Sequence, residues 1–152
     1  MEKRELISGL NEVLSENGFK RSGTLWSRQC DKFTLVVNMR KSKWSNKYYL
    51  EVGAICGRDS SGNYLSGAKY IDLNIAVDKL VHDIGTEILD PALDLDISTV
   101  PALKILLEHL KEKFVPCLEK MGTAAGIKEL YGTGQLRGAA IDKLAREVLG
   151  IG

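Results

Sequence analysis

The sequence predicts an α+β fold: an N-terminal helix, an antiparallel sheet of three to four strands in meander order, and C-terminal helices packed on the sheet. Three observations predict it. Apolar residues recur at helical spacing near the start of the chain. The pattern then changes to strand-like alternation over three successive segments, and helical spacing dominates again after about residue 98. Strands in direct succession speak against a doubly wound parallel sheet, whose strands are separated by crossover helices. The 152 residues, 44% of them hydrophobic and 27% charged, fit one soluble globular domain over 1–152. That length buries a core without needing a disulfide or a metal.

Leu6, Leu10, Val13 and Leu14 place an apolar stripe on a helix over 3–16, and Asn17-Gly18 supplies its stop. Residues 24–29, 33–44 and 47–56 are rich in aromatic and β-branched side chains and are divided by turn residues, as strands are. If Ser45-Asn46 is a two-residue turn, Met39 faces Val52, Val37 faces Ala54 and Leu35 faces Cys56. The opposite face then pairs Arg40 with Glu51 and Ser42 with Tyr49. A one-residue slip would set apolar against polar side chains. A turn at Cys30-Asp31 likewise puts Trp26 opposite Leu35.

Residues 58–63 read as a turn. Ile71, Leu73 and Ile75 suggest a fourth strand, and Val77, Leu80, Val81 and Ile84 a short helix. Residues 90–96 read as a loop. Ser98 or Thr99 caps a long helix with Pro101 in its first turn. Its apolar stripe runs through Leu103, Leu106, Leu107, Leu110, Phe114, Leu118 and Met121, and Gly122 ends it. Pro116 is expected to kink or break this helix, because proline removes a hydrogen bond and clashes with the preceding turn. Helices over 124–131 and 135–149, stopped by Gly132 and Gly150, close the chain.

The run Asn17-Gly18-Phe19-Lys20-Arg21-Ser22-Gly23 leads to Trp26-Ser27-Arg28. Asn38-Met39-Arg40-Lys41-Ser42-Lys43-Trp44 follows, and then 49–53, which opens on Tyr49 and closes on Gly53. Together these resemble the bacterial domain-of-unknown-function family 4304. In that family a Gly-Phe-Lys element follows an N-terminal helix, and a Lys-Ser strand and a Tyr-rich strand come next. The resemblance covers residues 4–57 well and the helical remainder in outline. It implies a shared fold. The family has no established activity, so the resemblance supplies no catalytic or binding residues.

Little in the chain points to catalysis. His82 and His109 are the only histidines, and neither has a His or Cys partner at metal-site spacing, so no metal and no cofactor are expected. An EF-hand loop opening at Asp94 would need Gly at its sixth and Glu at its twelfth position, where this chain has Thr99 and Ile105. The glycine-rich stretch 132–138 precedes an expected helix but follows another helix, and it lacks the Lys-Ser/Thr of a phosphate loop. There is no Gly-x-Ser-x-Gly elbow. An enzyme using two carboxylates brought together by folding would be invisible at this level. Cys30, Cys56 and Cys117 are odd in number and unpaired in spacing, which suits reduced, mostly buried thiols of a cytoplasmic protein. The N-terminus lacks the apolar run of a secretory signal, and no stretch is long enough to span a membrane.

The net charge of +1 hides an asymmetry. Residues 17–58 hold nine basic against two acidic residues, a net of +7, whereas 59–100 hold eight acidic against two basic, a net of −6. The face opposite Val37 and Met39 carries Asn38, Arg40, Ser42, Trp44, Tyr49 and Glu51. Leu25, Val36 and Ile55 share that face toward its other end, where helices are expected to cover it. The Arg40–Trp44–Tyr49 end joins aromatic and guanidinium groups, a composition enriched at interface hot spots. These six residues are the candidate binding surface of a non-enzymatic module that recognises a protein partner. The alternative ligand is a polyanion such as single-stranded nucleic acid, gripped by the basic 17–58 segment. The opposite charges of the two segments could equally be satisfied within the fold or by self-association.

Overall fold

The computed structural model describes residues 1–65 and 70–152. Helix α1 (Lys3–Ser15) buries Leu6, Leu10, Val13 and Leu14, the stripe read from the sequence. Gly18 then turns the chain with φ +84°, a left-handed backbone that only glycine adopts without steric cost. Six antiparallel strands form one sheet in chain order: β1 (Lys20–Ser22), β2 (Leu25–Gln29), β3 (Thr34–Lys41), β4 (Tyr48–Ile55), β5 (Leu73–Ala76) and β6 (Ala140–Ile141). The meander is as expected, but the sheet has six strands rather than three to four. All three residues of β1 are polar and exposed, so no alternation betrays it. Two residues make β6, which depends on pairing with β5 and on Asp142 N–H donating to the Asp72 carbonyl at 2.9 Å.

The observed register differs from the expected one by two residues. Met39 faces Leu50, Val37 faces Val52 and Leu35 faces Ala54. Trp26 faces Val37, not Leu35. Ser42 N–H donates to the Lys47 carbonyl at 2.8 Å, so the β3–β4 connection is 43–46 rather than Ser45-Asn46 alone. Between β2 and β3, Cys30 N–H donates to the Phe33 carbonyl at 2.9 Å, which places the turn at Asp31-Lys32. A two-residue shift leaves every side chain on its expected face, because strand side chains repeat every two residues. Trp26, Leu35, Val37, Met39, Val52 and Ala54 accordingly lie buried in the core.

On the opposite face Val36 and Ile55 are fully buried. Ile71 lies over the sheet there, beside Gly53. A Cβ at Gly53 would stand 2.7 Å from Ile71 Cγ2, so the bare glycine makes room for the Ile71 side chain.

The helices bring three further corrections. After α2 (Val77–Leu80), helix α3 (Thr86–Leu93) occupies much of the expected loop, burying Leu89, Ala92 and Leu93 despite Pro91 within it. In so short a helix the proline removes one backbone bond, and apolar burial offsets that loss. Helix α4 (Val100–His109) begins as expected, with the Thr99 hydroxyl accepting from Ala102 N–H at 3.2 Å. Pro116 does not break the run. A π turn at Leu110–Phe114 leads straight into α5 (Val115–Met121), and Val115 N–H reaches back to the Leu110 carbonyl. The widened turn puts Pro116 at the start of α5, where its missing N–H is tolerated. Helix α6 (Ala124–Gly132) follows, but only α7 (Lys143–Leu149) of the expected 135–149 helix forms. Gly134, at φ +86°, turns the chain out of helix, and the Asp142 carboxylate caps α7 by accepting from Ala145 N–H at 2.9 Å.

One apolar cluster runs from Leu6 to Ile151, with Trp26, Phe33 and Phe114 its largest fully buried side chains. Trp26 Nε1–H donates to Asn11 Oδ1 at 3.0 Å, tying α1 to β2. Cys56 is buried, whereas Cys30 and Cys117 are half-buried, less sheltered than expected. Among the described residues no helix is long and apolar enough to cross a membrane.

Candidate functional site

All six candidate residues lie on or beside the β3–β4 hairpin, and the register places four of them in two facing pairs. Asn38 faces Glu51 and Arg40 faces Tyr49. Arg40 and Glu51 were expected to face one another. They sit diagonally instead and still form an ion pair, with Arg40 Nε 2.9 Å from Glu51 Oε1. The second oxygen, Glu51 Oε2, accepts from Asn74 Nδ2 on β5 at 3.0 Å. Asn38 is buried. The Arg40 guanidinium lies 4.9 Å from the centre of the Tyr49 ring, and Lys47 Nζ lies 5.1 Å from it. The ring thus rests against two cations, an electrostatically favourable arrangement over a π face.

Ser42 and Trp44 extend beyond the paired strands. The Ser42 hydroxyl accepts from Trp44 N–H at 3.1 Å, a local turn bond that fixes the backbone under the indole. Trp44 itself is 93% exposed. The tip is braced from the acidic half of the chain. Asn46 Nδ2 donates to Asp96 Oδ1 at 2.9 Å, and Leu95 N–H donates to the Asn46 carbonyl at 3.1 Å. Lys47 Nζ lies 2.8 Å from Asp90 Oδ1, and the hydrogen bond it donates to that carboxylate raises the Lys47 pKa above its ordinary value.

Lys47, Asn74 and Asp90 adjoin these six residues, and no motif in the sequence assigns them to the hairpin surface. The opposite charges of 17–58 and 59–100 were the available signal, since the two segments meet here. Behind the tip, a cavity of about 110 Å³ lies between the hairpin and α3, lined by Arg40, Lys47, Tyr49, Glu51, Asp78 and Asp90 among others. Two of its three carboxylates are engaged by cations within the chain. Among the described residues, no group of three or more His, Cys, Asp or Glu side chains is placed to hold a metal ion. His82 is exposed, and His109 Nδ1 sits 2.9 Å from the Ile105 carbonyl on its own helix.

The fold and this hairpin define a class: an α+β meander domain whose central hairpin presents an aromatic and cationic tip. The model of the family described as Domain of unknown function (DUF4304) matches residues 10–119, and the chain belongs to that family. The match runs from within α1 to within α5, well beyond residues 4–57. No curated protein and no solved structure matches the chain.

Proposed function

We propose that this chain is a non-enzymatic binding module that recognises a protein partner through the hairpin surface around Arg40, Trp44 and Tyr49. The observation that carries the reading is the Trp44 indole, 93% exposed on a tip whose backbone is fixed by Ser42, Asn46 and the 94–96 segment. An indole left in water and held on an ordered turn is a ready anchor for an apolar pocket on another protein, because little entropy remains to be lost on docking. The polyanion alternative draws less support from this surface. Arg40 and Lys47 are already paired with Glu51 and Asp90, so neither charge is free to track phosphates.

The test is affinity capture from source-cell lysate at low and high salt, with Trp44→Ala beside the wild type. Titration of the purified captured protein follows, read by tryptophan emission. Trp26 is buried and contributes a constant background, so a blue shift on titration reports Trp44 leaving water. The expected result is a salt-resistant protein, that blue shift, and a loss of affinity of roughly thirtyfold or more in Trp44→Ala, the scale of an interface hot spot. Undiminished binding by Trp44→Ala refutes the surface. Nucleic acid recovered only at low salt redirects the reading to a polyanion.

A further inference from the structure

The chain holds seven arginines, and five of them are engaged within the fold. Arg4 pairs with Glu2 and Arg40 with Glu51. Arg21 donates to the Gly23 carbonyl, Arg28 to those of Asn17 and Leu118, and Arg58 to the Tyr64 hydroxyl. Arg137 and Arg146 are the two with no ion pair and no side-chain hydrogen bond among the described residues. Both line one cavity of about 460 Å³ between the end of α6, the turn 133–138, β6 and α7. Among the described residues no carboxylate side chain lines it. Arg146 is half-buried on α7, and Arg137 is exposed on the turn.

The turn shapes the opening. Gly134 takes φ +86°, and a Cβ there would stand 3.1 Å from Arg137 Nη2, so the glycine leaves the guanidinium its place against the turn. Thr133 spends its hydroxyl on the Leu130 carbonyl, with Oγ1 at 3.0 Å, and so stabilises the turn rather than lining the cavity with a free donor. Nearby carboxylates do not neutralise the pair. Asp78 and Lys79 line a neighbouring cavity that Arg137 also borders, and Glu147 follows Arg146 on α7, yet neither carboxylate forms an ion pair with these arginines.

We propose that this cavity is a binding site for the phosphate group of a small molecule, held by Arg137 and Arg146. The planar guanidinium fork matches the oxygens of a phosphate with two parallel hydrogen bonds, and two arginines lining one cavity suit a dianion. The volume falls within the range of small-ligand sites and leaves room for an organic portion of nucleotide size. The site lies outside the residues that match the family model and away from the hairpin, so it stands or falls independently of the partner surface.

The test is amide chemical-shift titration of the full chain with inorganic phosphate and with adenosine 5′-monophosphate, using adenosine and sodium chloride as controls. Saturable shifts confined to about 131–146 are expected with both phosphates and with neither control. Tighter binding of the nucleotide assigns the organic portion to the cavity, and equal binding assigns recognition to the phosphate alone. Arg137→Gln and Arg146→Gln should each weaken binding by about tenfold or more, the scale of one charge-assisted hydrogen bond. Arg58→Gln should leave it unchanged. Arg137 is exposed, so its substitution decides the matter even where Arg146→Gln fails to fold. Shifts spread over the basic surface, equal effects of chloride, absence of saturation, or variants that bind as the wild type does would overturn the site.

Discussion

Replacing Arg40 by Ala is expected to destabilise the fold by about 1–2 kcal/mol, chiefly through what it does to Glu51. The size follows from the unequal exposure of the pair, since the Arg40 side chain is 53% exposed but that of Glu51 only 14%. A pair with both members in water would contribute about 0–1 kcal/mol. Glu51 has instead given up most of its water for two donors, Arg40 Nε at 2.9 Å and Asn74 Nδ2 at 3.0 Å. Hydrogen bonds to charged groups contribute about 1.5–3 kcal/mol. The half-exposed guanidinium, and the water that would enter in its place, reduce this to about 1 kcal/mol. Loss of the cation from the Tyr49 ring adds about 0.5 kcal/mol. A double-mutant cycle of Arg40→Ala with Glu51→Gln, read by urea denaturation, should give a coupling of about 1 kcal/mol with unchanged m values. In a thermal scan each kcal/mol corresponds to about 2–4 °C. Coupling within about 0.3 kcal/mol of zero would refute the reasoning, because Asn74 would then suffice to hold the carboxylate. Trp44→Ala, by contrast, should leave stability within about 0.5 kcal/mol, which is why it separates binding from folding.

Gly53→Ala should cost about 1–3 kcal/mol or more, since its Cβ would collide with the Leu73 carbonyl and with Ile71; a urea midpoint equal to that of the wild type would show that Ile71 and β5 can yield. Burial raises the Asp72 pKa, with the Asp142 carboxylate beside it adding to the rise and N–H donation from Cys56 opposing it. A raised folded-state value means that the stability this carboxyl contributes is complete below the unfolded value near 3.8 and is lost as pH rises through the folded one. The stability advantage of the wild type over Asp72→Asn should therefore shrink from pH 4 to pH 7 in matched urea titrations, and an advantage that grows would mean the backbone donors of Cys56 and Gly57 dominate. Burial, together with Asp72 and Asp142 nearby, pushes the Cys56 thiol up to about 12, so under native conditions a disulfide reagent should label Cys30 and Cys117 well before Cys56. Mass mapping of the labelled thiols checks this, and early labelling of Cys56 would show that β4 opens at its end.

The order of labelling, like the position of the tip, depends on how the strands are aligned, and here sequence and structure made different contributions. Alternation in 24–29, 33–44 and 47–56 was enough to place Trp26, Val37 and Met39 on the core face and Arg40, Tyr49 and Glu51 on the other. Burial depends on the parity of a residue along its strand, and parity is visible in a single chain. Burial cannot distinguish registers that differ by two, because both put the same side chains inward. The choice fell to the longer 43–46 connection, which closes through Ser42 and Lys47 and docks on Leu95 and Asp96. Pro116 was legible as a local disruption, but its accommodation by the Leu110–Phe114 π turn required the apolar stripe to continue into Leu118 and Met121.

The charges divide in the same way. Composition showed a basic segment and an acidic one, and the family resemblance marked the strands that carry the hairpin. Which cation meets which carboxylate was decided only when α3 and the 94–96 segment folded back on the hairpin, joining Lys47 to Asp90 and Asn46 to Asp96. Those contacts left Trp44 in water. Arg137 and Arg146 came to share a cavity for the same reason, through a turn and a two-residue strand with almost no periodicity of their own. Local spacing determines which face a side chain takes, because it acts through the bonds of one segment. Which groups meet across the fold is set by contacts between segments distant in the chain, and these exist only once the core has closed.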